Sequence, residues 1–97
     1  MQDSGTMKSF LLKTSVAALL GMAGVAYSYK NDFEQSAQHY SKAIELSPKM
    51  ADAHSGLAFV LYRLGKYGLA MQHLTQAEEL GAKVNPDLRE ALQHQIK

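Results

Sequence analysis

Small and apolar residues recur along this chain with a helical rhythm, and the punctuation between runs predicts five helices and no strand. Ala17, Leu20, Ala23, Gly24 and Tyr27 fall at the i, i+3, i+4, i+7 positions of one helical face. Lys30-Asn31-Asp32 ends that run. Asn31 suits the left-handed turn beyond a helix, and Asp32 is placed to cap the next one, with Gln35 three residues on to reach back as in a capping box. The second helix then runs from about Phe33 to Leu46, with Phe33, Ala37, Tyr40, Ala43 and Ile44 inward. Ser47-Pro48 predicts the start of a third, serine as cap and proline in the first turn, where its missing N–H is not needed. Leu57, Ala58, Leu61 and Leu64 carry its core face until Gly65. Leu69, Ala70, Leu74, Ala77 and Leu80 define a fourth helix closed by Gly81, and Asn85-Pro86 opens a fifth carrying Leu88, Ala91, Leu92 and Ile96.

The pattern repeats. Residues 17–50 laid over 51–84, an offset of 34, give identities at Ala17/Ala51, Gln38/Gln72, His39/His73, Ala43/Ala77, Glu45/Glu79, Leu46/Leu80 and Lys49/Lys83. That period belongs to stacked helix-turn-helix units, each of which leans on its neighbour to bury a core. The expected organisation is an all-α solenoid of antiparallel helix pairs. It divides into an N-terminal segment 1–16 that can extend the first helix, a first repeat 17–50, a second repeat 51–84, and a capping helix within 85–97.

At this level of detail the residues resemble a tetratricopeptide repeat. The resemblance rests on Leu20-x2-Ala23-Gly24-x2-Tyr27 followed by Ser36-x3-Tyr40, Ala43 and Pro48, and on His54-x2-Leu57-Ala58-x2-Leu61 followed by Ala70-x3-Leu74 and Ala77. It implies that Gly24, Ala58, Ser36, Ala70, Ala43 and Ala77 sit where helices approach closely, beside Tyr27, Tyr40, Leu61 and Leu74. Leu20 and His54 stand where the family often has a large aromatic, and Ala82 stands where Pro48 would recur. The resemblance further implies a concave face lined by the first helix of each unit and a non-catalytic role as an adaptor or scaffold for a partner peptide or helix. Carried onto this chain, that face comprises Ala18, Gly21, Met22, Val25 and Tyr29, then Asp52, Ser55, Phe59, Tyr62 and Arg63. Val25, Tyr29, Ser55, Phe59, Tyr62 and Arg63 are the expected partner contacts, the aromatics offering rigid area and Arg63 a directional charge. The plainer alternative is that Phe59 and Tyr62 pack against the cap or the N-terminal segment. One subtype of the family grips chaperone-tail carboxylates with lysines and asparagines, but Gly21 and Val25 occupy such places here, so that role does not carry over.

Composition narrows the field further. Ten Lys and Arg against nine Asp and Glu give a net charge of +1, with no basic stripe for nucleic acid. The absence of cysteine removes disulfides, thiolate metal sites and cysteine nucleophiles. His39 and His73 are repeat equivalents, no histidine pair has i, i+4 spacing, and His54 lies in an apolar stripe that suits packing. Glu78, Glu79, Asp87 and Glu90 read as solvated helix surface. The expectation is therefore no catalysis, no cofactor and no metal.

Residues 7–26 support a competing reading. Lys8 and Lys13 precede the apolar run Val16 to Ala26, and Gly24-x-Ala26 resembles a small-residue cleavage site, as in a secretory signal. The run is about eleven residues, or sixteen from Thr14 to Tyr29, short of the ~20 that span a bilayer. Cleavage after Ala26 would uncover Phe33, Tyr40 and Ile44. The in-phase fit of Leu20, Ala23, Gly24 and Tyr27 favours a folded helix in a cytoplasmic protein over a membrane-anchored or exported scaffold. Gly21, Met22 and Val25 then form a second apolar face. Residues 7–16, with Phe10, Leu11 and Leu12, either lengthen the helix or fold across it, and self-association through the same surface is a further outlet.

Overall fold

The computed structural model describes residues 2–96, with side chains described for residues 8, 9 and 11–96. It contains α1 (Gln2–Tyr29), α2 (Phe33–Leu46), α3 (Ala51–Arg63), α4 (Tyr67–Glu79) and α5 (Pro86–Gln95), and no strand among the described residues. The chain is all-α, a short solenoid of antiparallel pairs. Each of α1–α2 and α3–α4 forms a hairpin, α2 packs on α3, and α5 closes over α4.

The turn chemistry repeats with the sequence. Asn31 and Gly65, 34 positions apart, both adopt positive φ, as does Gly81 after α4. At each turn two backbone bonds close the preceding helix: Asn31 N–H to Ser28 and Asp32 N–H to Tyr27, Gly65 to Tyr62 and Lys66 to Leu61, Gly81 to Glu78 and Ala82 to Ala77. These are Schellman closures, which satisfy carbonyls left over at a helix end. Asp32 caps α2 by accepting from Gln35 N–H at 3.3 Å. The reciprocal half of the expected capping box is absent, because the Asp32 N–H already donates to Tyr27. Asn85 caps α5 through the Asp87 N–H at 2.9 Å, with Pro86 in the first turn.

Ser47-Pro48 does not open α3. Ser47 closes α2, and the Met50 N–H donates to the Ser47 carbonyl, which puts Pro48 at the second position of a β-turn. There proline's fixed φ is equally welcome. Helix α3 begins at Ala51, with Met50 at its cap and no side-chain bond to it.

The first hairpin is built around Tyr40. Its ring lies between α1 and α3 so closely that a Cβ on Gly24 would stand 2.9 Å from the ring, and one on Gly56 only 2.4 Å. Nothing larger than glycine fits either place while the ring stays put. Alongside, the fully buried Ser36 hydroxyl donates to the Gly24 carbonyl at 2.6 Å. Ala43, Ala58, Ala70 and Ala77 are sealed from solvent, as close helix approach requires, and Leu74 and Leu92 are the largest of the fully buried side chains. Leu88 packs against the same core, and Arg89 pairs with Glu78 across the α4–α5 contact.

Three expected core positions turn outward. Leu69, one residue before Ala70, is rotated about 100° from the buried stripe, while Leu80 and Ile96 fall on cap residues beyond the last regular turn.

Helix α1 divides into two halves. From Ala17, fully buried, to Tyr29 it packs on α2. Residues 2–16 extend past that contact by about 22 Å at 1.5 Å per residue, and the side chains described there are exposed. Met7 and Phe10, which belong to the apolar N-terminal reading, have side chains outside the described ones. The apolar stretch is longer than the sequence count suggested: Leu11–Tyr29, 19 residues, is long and apolar enough to cross a membrane. Leu11 and Leu12 outweigh the Lys13 at which the shorter count stopped.

Candidate protein-docking face

Because α1 and α3 each run antiparallel to α2, they lie parallel to one another and form one side of the molecule. A groove of about 290 Å³ opens between them, lined by Ala18, Gly21, Met22 and Val25 from α1, Asp52 and Ala53 from α3, and Met50 and the edge of Tyr40. Its walls are mostly apolar, and among the described residues Asp52 is its one charged lining residue. The small residues make the depression. Gly21 has so little bulk that the Met50 methyl comes within 3.3 Å of where its Cβ would be.

Five residues of the sequence-derived face, Ala18, Gly21, Met22, Val25 and Asp52, thus come together in one groove. The others lie further along the same two helices. Tyr29 is 85% exposed at the end of α1. It is near enough to the Tyr40 hydroxyl to help hold that phenol above its ordinary pKa, after burial and Asp52, in that order.

Phe59 is 39% exposed and meets Phe33 edge-on at 6.4 Å. The Arg63 guanidinium stands 4.7 Å above the Phe33 ring and 5.9 Å from Phe59. Arg63 therefore already has a cation–π seat, which fixes its direction while leaving it exposed. Tyr62 is set apart from this group, half-buried beside Tyr67 with ring centroids at 5.9 Å, and it packs against the core. Ser55 is likewise half-buried. Among the described residues, the ring neighbours of Phe59 and Tyr62 come from α2 and α4.

Residues that line the groove but escaped the sequence reading are Met50 and Ala53, and the role of Gly56 as the seat of Tyr40. A signal existed for Met50: its offset partner is Val84, so both repeats place an apolar residue in the loop after the second helix. Gly56 had no such signal, because its offset partner is the exposed Met22.

A histidine pair, His54 buried and His73 half-buried, joins α3 to α4. His54 Nε2 is 2.8 Å from the Pro48 carbonyl, so that nitrogen carries the proton and Nδ1 is an acceptor. His73 Nδ1 stands 3.0 Å from it and must be the donor. The rings stack at 5.2 Å. Burial, and secondarily His54, hold the His73 imidazole below its ordinary value of 6.5. The bond pattern ties α3, α4 and the Pro48 turn together, which is structural work. No group of three or more His, Cys, Asp or Glu suited to a metal occurs among the described residues.

Comparison with known proteins agrees with the geometry. The sequence profile of the TPR repeat matches residues 24–65, from the end of α1 through α2 to the turn after α3. The Hsp70-Hsp90 organizing protein of Triticum aestivum is 34% identical over 67 residues, which cover 69% of this chain and 12% of the relative. The chain thus spans a small part of that relative's length. Repeat period, turn geometry, small-residue contacts and sequence similarity converge, and the chain belongs to the tetratricopeptide repeat family, whose repeats mediate protein–protein interaction.

Proposed function

We propose that the chain is a non-catalytic adaptor that docks an apolar helix or extended peptide along the face made by α1 and α3. The observation that carries this reading is the groove itself, apolar, about 290 Å³, and continued along α1 and α3 by exposed Val25, Tyr29, Phe59 and Arg63. Rigid aromatic area beside one oriented charge is the combination that concentrates binding energy. Tyr62 and Ser55 contribute by shaping α3, since both are half-buried. On this reading residues 17–50 and 51–84 are the two repeats, the helix in 85–97 is the cap, and the chain works in the cytoplasm.

The relative's name links it to Hsp70 and Hsp90. For this chain a chaperone-tail carboxylate is a poor match to the groove, where Gly21 and Val25 offer no cation and Asp52 would repel it.

A membrane-anchored or exported scaffold is the second reading, favoured by the 19-residue stretch Leu11–Tyr29. It requires Ala17, Gly21 and Gly24, all buried beneath the neighbouring helices, to leave them. Peptides selected from a displayed random library against the purified chain test the first reading. Val25→Glu and Phe59→Ala should each weaken the selected peptides about thirtyfold, while Gln38→Ala and Gln72→Ala leave them unchanged. If the pattern is reversed, the docking face is elsewhere.

A further inference from the structure

Among the described residues, seven of the eleven exposed large apolar side chains lie on α1: Leu11, Leu12, Val16, Leu19, Met22, Val25 and Tyr29. Together they leave on the order of 800 Å² of side-chain surface bare. An ordinary monomer's largest apolar patch is roughly 300–600 Å², and a standard stable interface takes about 800 Å² per partner. Their spacing is specific. Leu11, Ser15, Ala18, Met22, Val25 and Tyr29 follow alternating steps of four and three, the seam of a helix that packs along another helix, with Leu12, Leu19 and Ala26 flanking it. Ser15 and Ala18 keep the middle of that seam thin.

Charge selects the occupant. From Gln2 to Tyr29 the charged residues are Asp3, Lys8 and Lys13, so the projecting half of α1 is apolar and, over residues 8–16, basic. The groove beside the packed half is apolar with one acid, Asp52. None of Lys8, Lys13 and Asp52 forms an ion pair among the described residues. The two halves of α1 therefore complement each other, yet a continuous helix cannot fold back onto itself. A second copy can supply what the first lacks.

We propose that the chain forms a two-fold dimer in which the two α1 helices run antiparallel, crossing near residues 15–18, so that residues 8–16 of each copy lie along the α1–α3 groove of the other. In that register Leu11 and Leu12 of one copy sit beside Met22 and Val25 of the other, and Lys8 and Lys13 approach its Asp52. The contact is isologous and closes on itself, so it yields dimers and not filaments. It deepens the proposed function by giving the same groove a resident ligand, which a partner peptide must displace.

Sedimentation equilibrium on the full chain tests this. The wild-type chain is expected to dimerise, with Leu11→Asp/Leu12→Asp raising the dimer dissociation constant at least about thirtyfold while circular dichroism stays helical. Asp52→Lys alone and Lys8→Glu/Lys13→Glu should each weaken the dimer, about tenfold at low salt, and their combination should restore it. A monomeric wild-type chain at ~100 μM overturns the proposal, as does a dimer indifferent to the leucine and charge changes. So does a monomer that binds phosphatidylcholine vesicles through Leu11 and Leu12, which would make the face a membrane surface. Peptide binding measured on the monomeric Leu11→Asp/Leu12→Asp chain separates the two ideas. Peptide binding without any dimer removes only the dimer, and a dimer whose freed groove takes no peptide removes only the adaptor reading.

Discussion

The two helix hairpins, α1–α2 and α3–α4, turn with the same backbone geometry but are filled differently. In the first, a large wedge, Tyr40, is admitted by glycine on both sides, Gly24 in its own hairpin and Gly56 in the next. In the second, the residues 34 positions on are Leu74, Ala58 and, on α5, Glu90; Leu74 and Ala58 are fully buried, as is Leu92 two residues beyond Glu90. A similar exchange occurs on the first helices, where Leu20 of one repeat becomes His54 of the other and brings a polar contact to His73 and Pro48. What the family pattern specifies is thus a summed volume across each junction. Individual residues are free to change only in compensating sets.

The comparison breaks most sharply at Gly56. Replacing it with the residue its repeat equivalent carries, Gly56→Met, should cost about 3 kcal/mol or more, since the clash is with a ring packed between two helices. Adding Tyr40→Leu, the second repeat's choice, should recover a large part of that loss. Urea midpoints for the two single variants and the double variant measure the coupling, and strictly additive effects would show that Tyr40 is not the obstacle. At the other junction, Leu92→Ala should cost about 2–3 kcal/mol, the lower part of the range for emptying a buried leucine site. A smaller loss than for an exposed Leu69→Ala control would mean that α5 is not sealing the second repeat.

The smallest effect concerns acid. Because folding lowers the His73 pKa from 6.5, the unfolded chain binds the proton more readily. Stability is then full above pH ~6.5 and declines as pH falls through the lower folded value. His73→Gln should flatten that decline with little effect at pH 8. An unchanged acid limb in thermal unfolding would place the titrating group elsewhere.

Most of the fold was legible because it is written locally. Helix stripes, the left-handed positions at Asn31, Gly65 and Gly81, and the Asn85-Pro86 start depend on neighbours within a few residues, and the Asn31 and Gly65 turns also agreed with the 34-residue period. The errors came where one local signal had two outlets. Ser47-Pro48 suits a helix start and a β-turn equally, and only the three-residue backbone bond from Met50 to Ser47 decides between them. The docking face was legible as helix positions, so Ala18, Gly21, Met22, Val25 and Asp52 could be named together. Its division was not. That Tyr62 turns to Tyr67 while Phe59 and Arg63 gather on Phe33 is set by contacts with α4 and α2, and no spacing along α3 encodes that choice.

The Tyr40 wedge also governs which parts of this chain are interchangeable. Asn31 and Gly65 invite a cut at the turns, and residues 32–65 look like a portable cassette one period long. Grafted after Gly65, that cassette would set a second copy of Tyr40 against Ala58, whose methyl group occupies the space that Gly24 leaves open. Lengthening the array by that route therefore requires Ala58→Gly as well, so the natural grammar of the chain runs through its side-chain seats and not its loops.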